Sequence, residues 1–100
     1  MSWAKHAKEK LSAGETVVIR PRGHSMTGKV NDGDTVTLLP MPGGGLGSGD
    51  IVLVRVKGAD YLHLVKAISE DRVLIGNNRG GMNGWTRRKN IFGKAVKVER

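Results

Sequence analysis

The rhythm of hydrophobic and polar positions changes once along this chain, near residue 15. Before that point, "SWAKHAKEKLS" places Trp3, Ala7 and Leu11 at helical spacing with lysines between them. This spacing predicts a short helix over 2–12, capped by Ser2, which at that length needs docking against a core to persist. After it the pattern shortens towards alternation. "TVVIRP" is β-branched, "DTVTLLP" sets Val36 and Leu38 against Thr35 and Thr37, and "DIVLVRV" is nearly all apolar, as a strand covered on both faces would be. "DYLHLVKAI", "RVLIG" and "KAVKVE" follow, separated by glycine, asparagine and aspartate clusters. Short strands at close spacing predict a mainly β fold, a small barrel or sandwich, preceded by one short N-terminal helix.

Two strands begin alike, in "DGDTVTLLP" and "SGDIVLVRV". Glycine permits the turn and aspartate can bond nearby backbone amides, so Gly-Asp reads as a repeated way of starting a strand rather than as a structural repeat. Between them "PMPGGGLGSG", residues 40–49, reads as a flexible loop. A chain of 100 residues is expected to form a single domain, 1–100.

Composition narrows the function classes. The absence of cysteine removes disulfides and thiolate zinc sites, and no motif implies a metal or a cofactor. No apolar run approaches the about 20 residues of a membrane span. The N-terminal segment lacks the apolar h-region of a signal peptide, so the expectation is a soluble, cytoplasmic protein. The formal charge of +8 suggests a polyanionic partner. However, the basic residues are spread along the chain, and aromatic residues make up only 4%. Nucleic acid is therefore not the favoured partner. Only "TRRK" (86–89) forms a cluster, and Arg87, Arg88 and Lys89 are either a phosphate-binding patch or the solvated end of a hairpin.

Candidate chemistry centres on "GHSM", residues 23–26. Gly23 lets the backbone bend without a Cβ clash, which can present a hydroxyl and backbone amides to a substrate. A serine hydroxyl becomes a nucleophile only when a base removes its proton. Two candidate bases stand three residues apart, His63 and Lys66. If 61–68 is one regular strand, His63 shares a face with Tyr61 and Val65, and Lys66 shares the other with Leu62, Leu64 and Ile68. Only one of the two can then face Ser25 unless a bulge intervenes. His24 is expected to point away from its neighbour, and His6 to lie on the surface of the helix.

The wider string "RGHSMTGKVNDGDTVTL" resembles the serine box of the signal peptidase and SOS-repressor superfamily of serine endopeptidases. Gly23, Ser25, Met26, Val30, Gly33 and Asp34 stand at the places of that box without a gap, while Gly28 and Lys29 replace the Pro-Thr usual in signal peptidases. The resemblance continues through "GDIVLVRV" and "YLHLVKAI" to "IGNNRGGMNGWTRRKNIFGKAVKV", covering roughly 15–98. It implies the small β-barrel catalytic core of that superfamily and hydrolysis of a peptide bond in a protein or peptide substrate. Ser25 would be the nucleophile, with the backbone amides of His24 and Ser25 holding the oxyanion. By the same resemblance, "VLVRVKGADYLHLV" matches the repressor-type pattern without a gap and puts His63 where those proteins carry their lysine and the histidine-type signal peptidases their histidine, and the separation 63 − 25 = 38 suits the repressor type. His63 is therefore the favoured general base and Lys66 the alternative.

Histidine-type signal peptidases carry an aspartate in the segment that here reads "GNNRGG", so Asn77 or Asn78 is the expected orienter of His63. "IFGKAVKV" would be a candidate homodimer edge by the same resemblance. "SAGE" (12–15) contains an Ala-Gly bond like the one SOS repressors cleave in themselves. It lies only 25 − 14 = 11 residues before Ser25, and an ordinary turn is expected. The chain shows neither the helix-turn-helix of the repressors nor the membrane anchor of signal peptidases. That keeps a second function open, a catalytically inactive domain of the same fold serving as a protein- or nucleic-acid-binding regulatory module.

Overall fold

The computed structural model describes residues 3–21, 26–41 and 45–100. Ser2 as a cap, the Trp3 side chain, residues 22–25 with Gly23, His24 and Ser25, and residues 42–44 of the glycine-rich loop lie outside the described residues.

The helix forms where its spacing predicts, as α1 (Trp3–Ser12). Its buried stripe is Ala4, Ala7 and Leu11, so a small residue that the sequence pattern left out joins the inward face. The "SAGE" segment ends it. Gly14 sits at φ 82°, its amide donates to Leu11, and the Glu15 amide donates to Lys10. That pair of bonds is a Schellman close, which needs the left-handed conformation glycine adopts without strain. The Ala-Gly bond is thus part of a helix terminus, as the turn expectation had it.

Seven strands follow: β1 (Val17–Ile19), β2 (Thr35–Pro40), β3 (Ile51–Val56), β4 (Ala59–Ser69), β5 (Arg72–Gly76), β6 (Met82–Arg87) and β7 (Ile91–Glu99). They make one sheet in the order β1-β2-β7-β3-β4-β5-β6, with every neighbouring pair antiparallel. The fold is mainly β, as the alternation predicts, but the sheet does not close into a barrel. The edge strands β1 and β6 pair only with β2 and β5, and no ladder joins them. β6 reaches β3 instead through one side chain, the Thr86 hydroxyl donating to the Arg55 carbonyl at 2.9 Å.

The Gly-Asp starts of β2 and β3 share one geometry. Asp34 Oδ2 accepts the Asn31 amide at 2.8 Å, and the Asp34 amide donates to the Asn31 carbonyl at 2.9 Å. Asp50 repeats this on Gly47, at 2.7 and 3.1 Å. Gly33 and Gly49, each one residue earlier, adopt φ of 91° and 96°. Between β3 and β4, Lys57 and Gly58 both take positive φ, the backbone of a two-residue hairpin turn matched to strand twist.

Two apolar clusters lie on the two faces of β3 and β4. One gathers the α1 stripe, Val17, Met26, Val30, Val36, Leu38, Leu53, Leu62 and Leu64. The other gathers Val52, Val54, Val56, Val65, Val73, Ile75 and Ile91. β3 is therefore covered on both sides, as its unbroken apolar run predicts, and each fully buried aliphatic chain contributes about 1.5–3 kcal/mol. The helix is also held by charge. Lys8 Nζ lies 2.9 Å from Asp60 Oδ2, and Arg55 Nε lies 3.3 Å from Asp60 Oδ1. Burial pushes the Asp60 carboxyl up, but the bonds from Lys8 and Arg55 together outweigh it and hold the group below its ordinary value of 3.8.

Docking of α1 requires Gly93. A Cβ there would lie 2.8 Å from Leu11 Cδ1 and 2.9 Å from the Leu39 carbonyl oxygen, which is backbone and cannot yield cheaply. Gly93→Ala is expected to lower unfolding free energy in urea by about 1–3 kcal/mol. Gly47→Ala, whose Cβ would meet only Asp50 Oδ2 at 3.8 Å, should stay within about 0.5 kcal/mol. Equal midpoints for the two variants would contradict this packing.

Candidate functional site

His63 lies in the middle of β4, opposite Val52 of β3. Alternation turns it to the face of the second cluster, with Tyr61 before it and Val65 after it, as expected. Only 7% of the residue is exposed. Its ring stacks on Tyr61 with centroids 4.9 Å apart and an interplanar angle of 25°. Its Nδ1 is 2.6 Å from Asn83 Oδ1. With an amide oxygen as partner, Nδ1 carries the proton and Nε2 keeps the basic lone pair.

Asn83 is the partner of His63 that the sequence did not disclose. It lies on β6, where "MNGWTR" offers one buried residue, Thr86, and no inward apolar row. The expected orienters, Asn77 and Asn78, are both occupied elsewhere. Asn77 Oδ1 accepts the amides of Arg79 (2.8 Å) and Gly81 (2.9 Å), folding the β5–β6 turn on itself. Asn78 Nδ2 donates to the Thr27 carbonyl at 2.7 Å. The correction follows from register. The β5–β6 ladder is irregular between Ile75 and Gly76, which pair with Gly84 and Met82, and Asn83 falls between them.

Lys66 is separated from His63 by a bulge. Val65 pairs with Ile75 and Ala67 with Leu74, which leaves Lys66 as the extra residue. Its Cε lies 3.0 Å from where a Cβ on Gly76 would be, and Gly76 is opposite Leu64, so the chain runs along the Leu64 face. Beyond the bulge parity reverses, and Ile68 packs with Tyr61 and Val65, not with Leu62 and Leu64 as an unbroken strand would have it.

Ser25 and the backbone of His24 lie outside the described residues, but the segment that follows them is fixed. Met26 and Val30 are buried in the first cluster. The Met26 carbonyl accepts the amides of Lys29 (3.0 Å) and Val30 (2.8 Å), and the Gly28 amide donates to Asn31 Oδ1 at 3.0 Å. Gly28 has φ 101°, and a Cβ there would lie 3.0 Å from Asn78 Nδ2. Gly28 thus makes room for the asparagine that ties this turn to the β5–β6 hairpin. That one hairpin holds both Thr27, through Asn78, and His63, through Asn83.

The basic cluster is divided. Arg87 ends β6 and is exposed, whereas Arg88 donates from Nε to the Glu70 carbonyl (3.0 Å) and from its amide to the Asp71 carbonyl (2.9 Å). Lys89 is exposed in the single 3-10 turn Arg88–Asn90. Among the described residues no three His, Cys, Asp or Glu side chains converge as a metal site, and no helix is long and apolar enough to cross a membrane. Compared with protein-family models and with curated proteins, the sequence matches none.

Burial pushes the His63 imidazole below its ordinary 6.5, and the hydrogen bond to Asn83 opposes that only in part. Unfolded His63 takes up its proton near 6.5 and folded His63 only at lower pH. Its effect on folding is therefore absent above 6.5, and stability is lost as pH falls below that value. Titration followed by NMR should give a His63 midpoint below 6.5, and Asn83→Asp should move it upward by placing a carboxylate on Nδ1. A wild-type midpoint at or above 6.5, or no upward movement in Asn83→Asp, would contradict this environment.

Proposed function

We propose that this chain is a serine endopeptidase of the signal-peptidase and SOS-repressor type, with Ser25 as nucleophile and His63 as general base. What supports the reading most is the state of His63. It is a buried, neutral imidazole whose proton is held on Nδ1 by Asn83. A dyad base needs its lone pair on Nε2 and needs to be unprotonated near neutral pH. The serine-box resemblance supplies Ser25, and the anchored turn over 26–30 supplies a rigid support next to it.

In this mechanism Ser25 Oγ attacks the scissile carbonyl carbon while its proton passes to His63 Nε2. The carbonyl π electrons move to oxygen, and the backbone amides of Ser25 and His24 stabilise the charge. Collapse re-forms the carbonyl, breaks the C–N bond and sends the proton from Nε2 to the leaving amine. Water, deprotonated by the same nitrogen, then releases the acyl group and restores Ser25. Asn83 orients the ring and fixes its tautomer without carrying a charge. Lys66, whose chain runs on the other face of β4, is the alternative base.

Labelling by fluorophosphonate and peptidyl acylating probes, followed by intact mass, tests the proposal. Labelling should be lost in Ser25→Ala and fall by about 10²–10⁴-fold in His63→Ala. Its rate should rise with pH through a midpoint below 6.5, the direction set by His63 burial. Loss of labelling in Lys66→Ala with retention in His63→Ala would make Lys66 the base. No Ser25-dependent labelling by any probe would overturn the peptidase reading in favour of a non-catalytic domain of the same type.

A further inference from the structure

β4, β5 and β6 turn His63, Asn83 and Thr86 to the inside, and their opposite face is built differently. One cross-strand row there is Ser69, Arg72 and Arg87, and the next is Ala67, Leu74 and Trp85. Trp85 is 46% exposed and Met82, in the following row, 60%. Ser69, Arg72 and Trp85 line a shallow cavity of about 270 Å³. Arg72 and Arg87 stand directly opposite each other, a like-charge pairing that is unfavourable in a sheet. Among the described residues neither guanidinium has an ion-pair partner. A half-exposed indole beside two unneutralised arginines is a costly surface in the free protein.

We infer that this outer face of β4–β5–β6 binds single-stranded nucleic acid, with one base stacked on Trp85 and the adjoining phosphates on Arg72 and Arg87. An indole offers a π-face to any base, and guanidinium groups match phosphate oxygens in bidentate geometry. The Ser69 hydroxyl in the same cavity can donate to or accept from the base or sugar. Leu74 and Met82 continue the apolar surface for a neighbouring base. A duplex buries its base faces in its own stack and offers Trp85 nothing to lie on. A merely acidic peptide would use the arginines and leave the indole uncovered. The formal charge of +8 favours the encounter with a polyanion. This face does not depend on Ser25 or His63, so the inference stands apart from the peptidase reading.

The chain has two tryptophans, and Trp3→Phe leaves Trp85 as the one indole reporter. Titration of that variant with an oligothymidylate of about eight nucleotides should quench its fluorescence. Two phosphate contacts give a slope of about −1.4 in log affinity against log salt. Arg72→Gln and Arg87→Gln should each reduce that slope by about 0.7, and Trp85→Leu, followed by anisotropy of a labelled strand, should weaken binding about 5- to 100-fold. Far-UV circular dichroism checks that the variants keep their strands. The inference is overturned by the absence of binding at low salt, by equal affinity for duplex, or by unchanged affinity in Trp85→Leu. It is also overturned if a glutamate-rich peptide binds the same face more tightly than the oligonucleotide.

Discussion

A strand covered on both faces has no solvent side on which to leave a polar group, and that constraint on β3 and β4 governs the rest of this molecule. β3 meets it with valine, leucine and isoleucine at every position but the exposed Arg55. β4 cannot, because it carries His63 and Lys66 between its aliphatic residues. Each is accommodated differently. His63 stays inside and finds Asn83 and the Tyr61 ring. Lys66 is displaced by a bulge and lies along the Leu64 face beside Gly76, where a side chain on residue 76 would collide with it. Packing thus sends the two side chains to opposite faces of β4.

The β5–β6 hairpin carries more of the site than its composition suggests. Its turn is closed by Asn77, its tip reaches Thr27 through Asn78, and its second strand reaches His63 through Asn83. Three asparagines make four hydrogen bonds from one short segment of backbone. A neutral amide in place of a carboxylate at Nδ1 has a chemical consequence. It sets the tautomer but does not raise the imidazole towards neutral pH as an anion would, so burial decides the direction of the shift.

Much of this was legible in the sequence. Six of the strands and the helix announce themselves by alternation or by helical spacing, and the paired Gly-Asp starts of β2 and β3 form the same two bonds. β6 was hidden because its inward positions are Asn83, Gly84 and Thr86, which make hydrogen bonds rather than a hydrophobic row. Without β6, Asn83 has no address, and the resemblance of "GNNRGG" to an aspartate-bearing segment points to Asn77 and Asn78 instead. Closure of the sheet was equally invisible, since strand count does not say whether the edge strands β1 and β6 meet. The side of the sheet on which Ile68 falls was misplaced for a similar reason: a bulge leaves no mark on hydrophobic alternation until the ladder itself is known.

The account rests on His63 being held as a neutral ring with its proton on Nδ1. Long-range ¹⁵N–¹H correlation of the imidazole at neutral pH measures this directly. The account predicts a protonated, pyrrole-type Nδ1 and an unprotonated, pyridine-type Nε2, with the Nδ1 signal altered in Asn83→Ala. A proton on Nε2, or a ring averaging between tautomers without regard to Asn83, would contradict it.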